Sequence, residues 1–251
     1  MRRIEEEIKK TAKFRESIPG ESAPGEYTFR RSVSTGGISK NSDLDMEENM
    51  ISLFHSINSL LPDFQKKVIQ FIGSGEEEGT STIVREFAAV SVNKFGKTVL
   101  LIDTDTQKPG QHLFFKIKPG YSLEDVISDN KPIDKALCQV GNSRLFVSTI
   151  SKQSFSTLQV FDLKRNNYVW EKITQQFDLI LIDSPPATTS SDGLTVSRIV
   201  DGVVLIMEAE KTRWPVTESV KEKIIKNGGK ILGIVFNKRR HHIPEFIYKR
   251  L

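Results

Sequence analysis

One turn, between residues 73 and 82, constrains this chain more than any other feature. Gly73-Ser74-Gly75-Glu76-Glu77-Glu78-Gly79-Thr80-Ser81-Thr82 follows an apolar run, Val68 to Ile72. A helical apolar pattern leaves it at Ile83, Val84, Phe87, Ala88 and Ser91. The frame G-x-x-x-x-G-K-[ST] cradles phosphate oxygens with backbone N–H groups. Its lysine reaches the β/γ-phosphates, and its hydroxyl holds magnesium. Here Ser74 stands at the first glycine, Gly79 is kept, Thr80 occupies the lysine position and Ser81 keeps the hydroxyl. Three glutamates lie within the turn. The scaffold is that of a phosphate-binding loop, while its charges oppose a polyanion.

The rest of the chain supplies the fold that such a loop needs. Predicted strands are Val68–Ile72, Val99–Asp103, Leu145–Ser148, Leu179–Asp183, Val203–Met207 and Ile231–Phe236. Several are continuous apolar runs, as expected of strands buried on both faces of a parallel sheet. Helices are predicted between them, over about Thr80–Lys94, Tyr168–Gln176, Asp192–Ile199 and Pro215–Asn227, with one more over Met46–Leu61. This alternation predicts an α/β fold, a doubly wound, mostly parallel sheet flanked by helices, with ligands at the carboxyl ends of the strands. Three segments are expected: a charged helix and flexible linker over 1–45, the α/β domain over 46–240, and a basic tail over 241–251. Trp170 and Trp214 are expected to pack helices on the sheet, and Phe114-Phe115 to lie in the core, with a partner-facing apolar lip as the alternative for that pair.

Composition narrows the setting. Apolar residues make up 37% and charged residues 27%, the balance of a soluble domain. No apolar run approaches the roughly 20 residues that span a bilayer. Cys138 is the lone cysteine, so a cysteine metal cluster or an internal disulfide is excluded. These features predict a cytoplasmic protein. The net charge of +4 is partly concentrated in Lys238-Arg239-Arg240-His241-His242 and Lys249-Arg250. With no recognition motif beside this charge, nucleic acid is not an expected partner.

Acidic residues close the strands that follow the loop. Leu100-Leu101-Ile102-Asp103-Thr104-Asp105 ends one strand with two carboxylates, and Leu179-Ile180-Leu181-Ile182-Asp183-Ser184-Pro185-Pro186 ends another with one. Carboxylates at such strand ends position magnesium directly or through water. Asp103, Asp105 and Asp183 are therefore the candidate catalytic residues, and Ser81, Asp103 and Asp183 the candidate metal site.

Together these elements resemble the bacterial tyrosine autokinases, or BY-kinases, cytoplasmic modules that work with polysaccharide co-polymerases. The wider class includes the plasmid-partition and cell-division-site ATPases. Asp103-Thr104-Asp105-Thr106-Gln107-Lys108-Pro109 is similar to the family's second acidic motif and Asp183-Ser184-Pro185-Pro186 to its third. Ser191-Asp192-Gly193, Val200 to Leu205, Lys211-Thr212-Arg213 and Val235-Phe236-Asn237 extend the likeness. The resemblance implies a nucleotide site built from Gly75, Gly79, Thr80, Ser81, Thr82 and Asn237, the last contacting adenine. It also implies ATP or ADP with magnesium as cofactors, and a membrane-embedded chain-length co-polymerase as partner. The chain would then lie at the inner face of the membrane through that partner.

The departures from the family pattern point to altered chemistry. The family loop reads Pro-Gly-Glu-Gly-Lys-[ST]-Thr, of which only Glu78, Gly79, Ser81 and Thr82 match. A charge pair at 4 Å is worth about 1 kcal/mol in water and about 4 at an effective dielectric near 20. Losing the lysine and adding two glutamates therefore predicts weak or absent nucleotide binding. The family's arginine-bearing oligomerisation helix corresponds to Glu48–Ser56, which lacks the arginines, so the ring assembly of the relatives is not implied, while a homo-oligomer stays among the expected partners. The tyrosine-rich tail is reduced to Tyr248, with Tyr27 in the linker. The leading expectation is a regulatory partner in exopolysaccharide or capsule biosynthesis and export. An active ATP-dependent autokinase, with Arg85, Lys108 or a residue of a neighbouring subunit replacing the lysine, is the alternative. A membrane- or DNA-associated positioning ATPase is the third reading.

Overall fold

A computed structural model describes residues 40–62, 67–129, 131–150, 160–161 and 167–239. The expected N-terminal helix, most of the linker, Tyr27 and the tail with Tyr248 lie outside these residues. The described elements begin with α1 (Lys40–Leu60), β1 (Lys67–Gly73), α2 (Thr80–Asn93), β2 (Val99–Asp103), α3 (Gln111–Phe114) and α4 (Leu123–Ser128). A short 3-10 turn, Ile133–Lys135, leads to β3 (Cys138–Gln139) and β4 (Leu145–Thr149). Then come α5 (Asn167–Gln176), β5 (Leu179–Ser184), α6 (Ser191–Val196), β6 (Gly202–Glu208), α7 (Trp214–Lys226) and β7 (Ile231–Asn237).

All six predicted strands form, within a residue or so of their expected ends. They lie in the order β3-β4-β2-β5-β1-β6-β7, with every pairing parallel except that of β3 with β4. The two-residue β3 is too short to give a periodic signal. The apolar strands bury both faces, as parallel strands covered by helices must. In β2, Val99 and Leu101 join one core, while Leu100 and Ile102 join the other. The first core also holds Met50, Phe54 and Ile57 of α1 and Phe87 of α2, with Phe54 stacked on Phe95 at 3.8 Å. The second holds Trp170 and Phe177. Burying each such side chain contributes about 1.5–3 kcal/mol.

Helix α1 begins at Lys40, six residues before the expected start and inside the segment read as linker. Asn41, Ser42 and Asp43 look like loop residues in sequence, but a first helical turn also favours them. Two aromatic expectations are corrected. Trp214 opens α7 and is 47% exposed, because it precedes the turn where that helix meets the sheet. Phe114 is also 47% exposed, at the end of a four-residue helix too short to cover it, whereas Phe115 packs partly against the first core.

The sheet register assembles the candidate site. Asp103 and Asp183 lie abreast on β2 and β5, and Phe71, two residues before the end of β1, pairs with Asp183 on its other side. The loop after β1 therefore opens directly over both carboxylates.

Candidate functional site

The loop keeps the backbone shape of an anion nest. Glu77 and Gly79 have φ values of 62° and 87°, left-handed positions that curl successive N–H groups toward one point. Ser74 N–H donates to Ile206 at the root of the loop. From Gly75 to Gly79, no N–H donates a hydrogen bond to any described residue. Thr80 then starts α2, which brings Ser81 and Thr82 into its first turn.

The three glutamates do not act alike. Glu76 and Glu77 are exposed, and Glu76 pairs with Lys108 across 3.7 Å. Glu78 is buried, its Oε1 accepting from the Thr212 hydroxyl at 2.5 Å. Its Oε2 has no hydrogen-bond partner among the described residues.

Two residues at the end of β7 clasp the outside of the loop. Asn237 Nδ2 donates to the Glu78 carbonyl at 2.7 Å. Lys238 Nζ donates to the Glu77 carbonyl at 2.5 Å and pairs with Glu208 at 3.0 Å. The side-chain amide that the resemblance assigns to adenine is thus engaged with the loop itself. Gly79 is required on two counts: its positive φ, and Asn237 Nδ2 only 2.3 Å from where a Cβ would stand.

The acidic strand ends divide their roles. Asp103 accepts backbone N–H bonds from Gly110 and Gln111 on Oδ2 and from Asp105 on Oδ1. It fixes the turn that carries α3. Asp105, more exposed, accepts from Gln107 and Lys108 N–H. Asp183 is buried and accepts from Gln111 Nε2 at 2.6 Å. Its Oδ1 has no partner of ordinary hydrogen-bond geometry among the described residues. Burial and then the neighbouring Asp103 raise its pKa to about 7, against the pull of Gln111, the nearby Ser81 hydroxyl and Arg85. Burial also raises Asp103, although its three backbone donors oppose the shift.

Gln111 joins these parts and has no motif to announce it. Its amide nitrogen reaches both Asp183 and the Ser81 carbonyl, the latter at 3.2 Å, and its oxygen accepts from Arg85 at 3.3 Å. Arg85 also donates to Thr82 and lies over the Phe114 ring at 4.1 Å. The Ser81 hydroxyl and the unpartnered Asp183 oxygen are a donor set that suits a hard divalent cation. The described residues hold no cluster of three His, Cys, Asp or Glu side chains able to bind a metal by themselves.

A family model described as an AAA domain matches residues 67–212, more than half of the 251-residue chain. Tyrosine-protein kinase CpsD of Streptococcus agalactiae is 29% identical over 183 residues, covering 72% of this chain and 80% of that one. Tyrosine-protein kinase YwqD of Bacillus subtilis is 25% identical over 178 residues, covering 71% and 75%. The kinase domain of Escherichia coli tyrosine kinase ETK superposes with a TM-score of 0.67 at 19% identity, covering 79% of each chain. The chain is an AAA domain of the BY-kinase family. Its loop carries a threonine at position 80, where the phosphate-loop frame has lysine. No helix among the described residues is long and apolar enough to cross a membrane.

Proposed function

We propose that this BY-kinase-family domain binds ATP or ADP weakly and serves as a regulatory partner of a membrane-embedded chain-length co-polymerase in exopolysaccharide or capsule assembly. One observation carries the reading: three cations at the loop, Lys108, Lys238 and Arg85, already have partners among the described residues. Lys108 pairs with exposed Glu76, Lys238 with the Glu77 carbonyl and Glu208, and Arg85 with Gln111, Thr82 and the Phe114 ring. Thr80 brings only a hydroxyl. Phosphoryl transfer suffers more than binding, because the missing ammonium would stabilise charge that grows in the transition state. Gly75 and the backbone from Gly79 to Thr82 would cradle the phosphates. Ser81 and Asp183 would hold magnesium, whose charge would offset that of the phosphates.

The free loop amides and the retained carboxylates favour a second reading, an active autokinase with an atypical loop. Titration with fluorescent ATP and ADP, with and without magnesium, separates the two. Thr80→Lys is expected to tighten ATP binding by on the order of a hundredfold or more, the effect of one added charge pair of several kcal/mol. Micromolar, magnesium-dependent binding by the unaltered chain, unimproved by the lysine, would remove the regulatory reading.

A further inference from the structure

Gln111 is fully buried, although glutamine is a residue that mostly stays exposed. It is held from every side. Its backbone N–H donates to Asp103 Oδ2 at 3.0 Å, beside that of Gly110 at 2.9 Å. Its side-chain nitrogen donates to Asp183 Oδ2 at 2.6 Å and to the Ser81 carbonyl at 3.2 Å. Its side-chain oxygen accepts from Arg85 at 3.3 Å. Two acceptors at the amide nitrogen and a donor at the amide oxygen leave the group a single orientation.

These contacts apportion the carboxylate oxygens. Both oxygens of Asp103 are committed to backbone N–H groups, Oδ1 to Asp105 and Oδ2 to Gly110 and Gln111. Asp103 thus anchors the turn that delivers Gln111. Asp183 is different: Gln111 holds its Oδ2, and its Oδ1 has no partner of ordinary hydrogen-bond geometry among the described residues. A carboxylate pinned at one oxygen keeps the other in a fixed direction, because turning it would break the short, charge-assisted bond. The same amide nitrogen reaches the Ser81 carbonyl, so one group ties the residue with the hydroxyl to the residue with the uncommitted oxygen.

We propose that Gln111 is the positioning residue of the magnesium site: without touching the cation, it fixes Asp183 and Ser81 as one unit and leaves Asp183 Oδ1 for the metal. The inference rests on the reading that Ser81 and Asp183 hold magnesium. Donors behind a metal-ligating carboxylate set its orientation and its affinity. The rival role is competition, in which the amide occupies an oxygen that the cation would otherwise share. The two roles differ in sign. Removing a competitor frees a second carboxylate oxygen and tightens cation binding, whereas removing a positioning donor loosens it. A purely structural role would lower stability and leave the cation affinity of the folded chain unchanged.

Manganese(II) is the probe, titrated into the full chain at pH 8 with the free ion counted by electron paramagnetic resonance. Gln111→Met keeps the side-chain length and removes the donors. It is expected to weaken manganese binding by on the order of 10–100-fold, the usual effect of losing such a partner. Asp183→Asn should abolish binding. A second measurement needs no Gln111 variant: in the unaltered chain, the Gln111 side-chain amide resonances should remain those of a hydrogen-bonded group as magnesium is added to saturation. Equal or tighter binding by Gln111→Met would overturn the positioning role, and so would magnesium driving the amide resonances to their free values. No binding by the unaltered chain, or binding indifferent to Asp183→Asn, would remove the magnesium reading itself and the role of Gln111 with it.

Discussion

Replacing Asp183 with asparagine should stabilise the protein, and by more as pH rises. The buried carboxyl titrates near 7 in the folded state and near 3.9 in an unfolded chain. Because the folded state holds this proton more tightly, stability falls as pH climbs through the interval between those values and levels off above about 7. At about 1.4 kcal/mol per pH unit, the wild-type residue costs roughly 1.5 kcal/mol at pH 5 and roughly 4 at pH 8. Asparagine carries no charge to bury, and its carbonyl can still accept from Gln111. Urea unfolding in the presence of a chelator should therefore show Asp183→Asn gaining about 2.5 kcal/mol more at pH 8 than at pH 5. Asp103 shifts in the same direction and repels Asp183, so the difference reports the removal of one charge from this pair. Equal gains at both pH values, or a loss at pH 8, would mean that the carboxylate is compensated in the folded state and that the burial argument is wrong.

Two further substitutions probe the loop and its support. Gly79→Ala forces a side chain into a left-handed backbone and onto Asn237 Nδ2, so a loss of about 1–3 kcal/mol is expected in urea unfolding. A change below about 0.5 kcal/mol would mean that the loop relaxes freely, as surface substitutions do. Gln111→Leu strips the donors to Asp183 and the Ser81 carbonyl and the acceptor of Arg85, at a cost of about 3 kcal/mol in the same assay. Gln111→Glu should cost still more at pH 8, because it adds a carboxylate beside Asp103 and Asp183; equal losses for the two variants would separate Gln111 from those charges.

Sequence revealed the fold and the loop, but not what surrounds the loop, and the division follows from range. Runs such as Leu179–Ile182 and the spacing of Ile83, Val84 and Phe87 are local, so their burial can be read from neighbours. Gln111 acts on partners 30 and 72 residues away, and Asn237 on one 159 away, with no period to mark either. The weight of each loop charge depends on the fold for a related reason. In sequence, three glutamates weigh equally against a triphosphate. In the fold, Glu76 and Glu77 face solvent, where each interaction is worth about 1 kcal/mol or less, and Glu78 is turned to Thr212. The added acids therefore count for less than their number suggests, and the missing ammonium at Thr80 for more. The consequence is specific: restoring lysine at position 80 should improve ATP binding more than replacing Glu76 and Glu77 together, and the reverse order would return the weight to the glutamates.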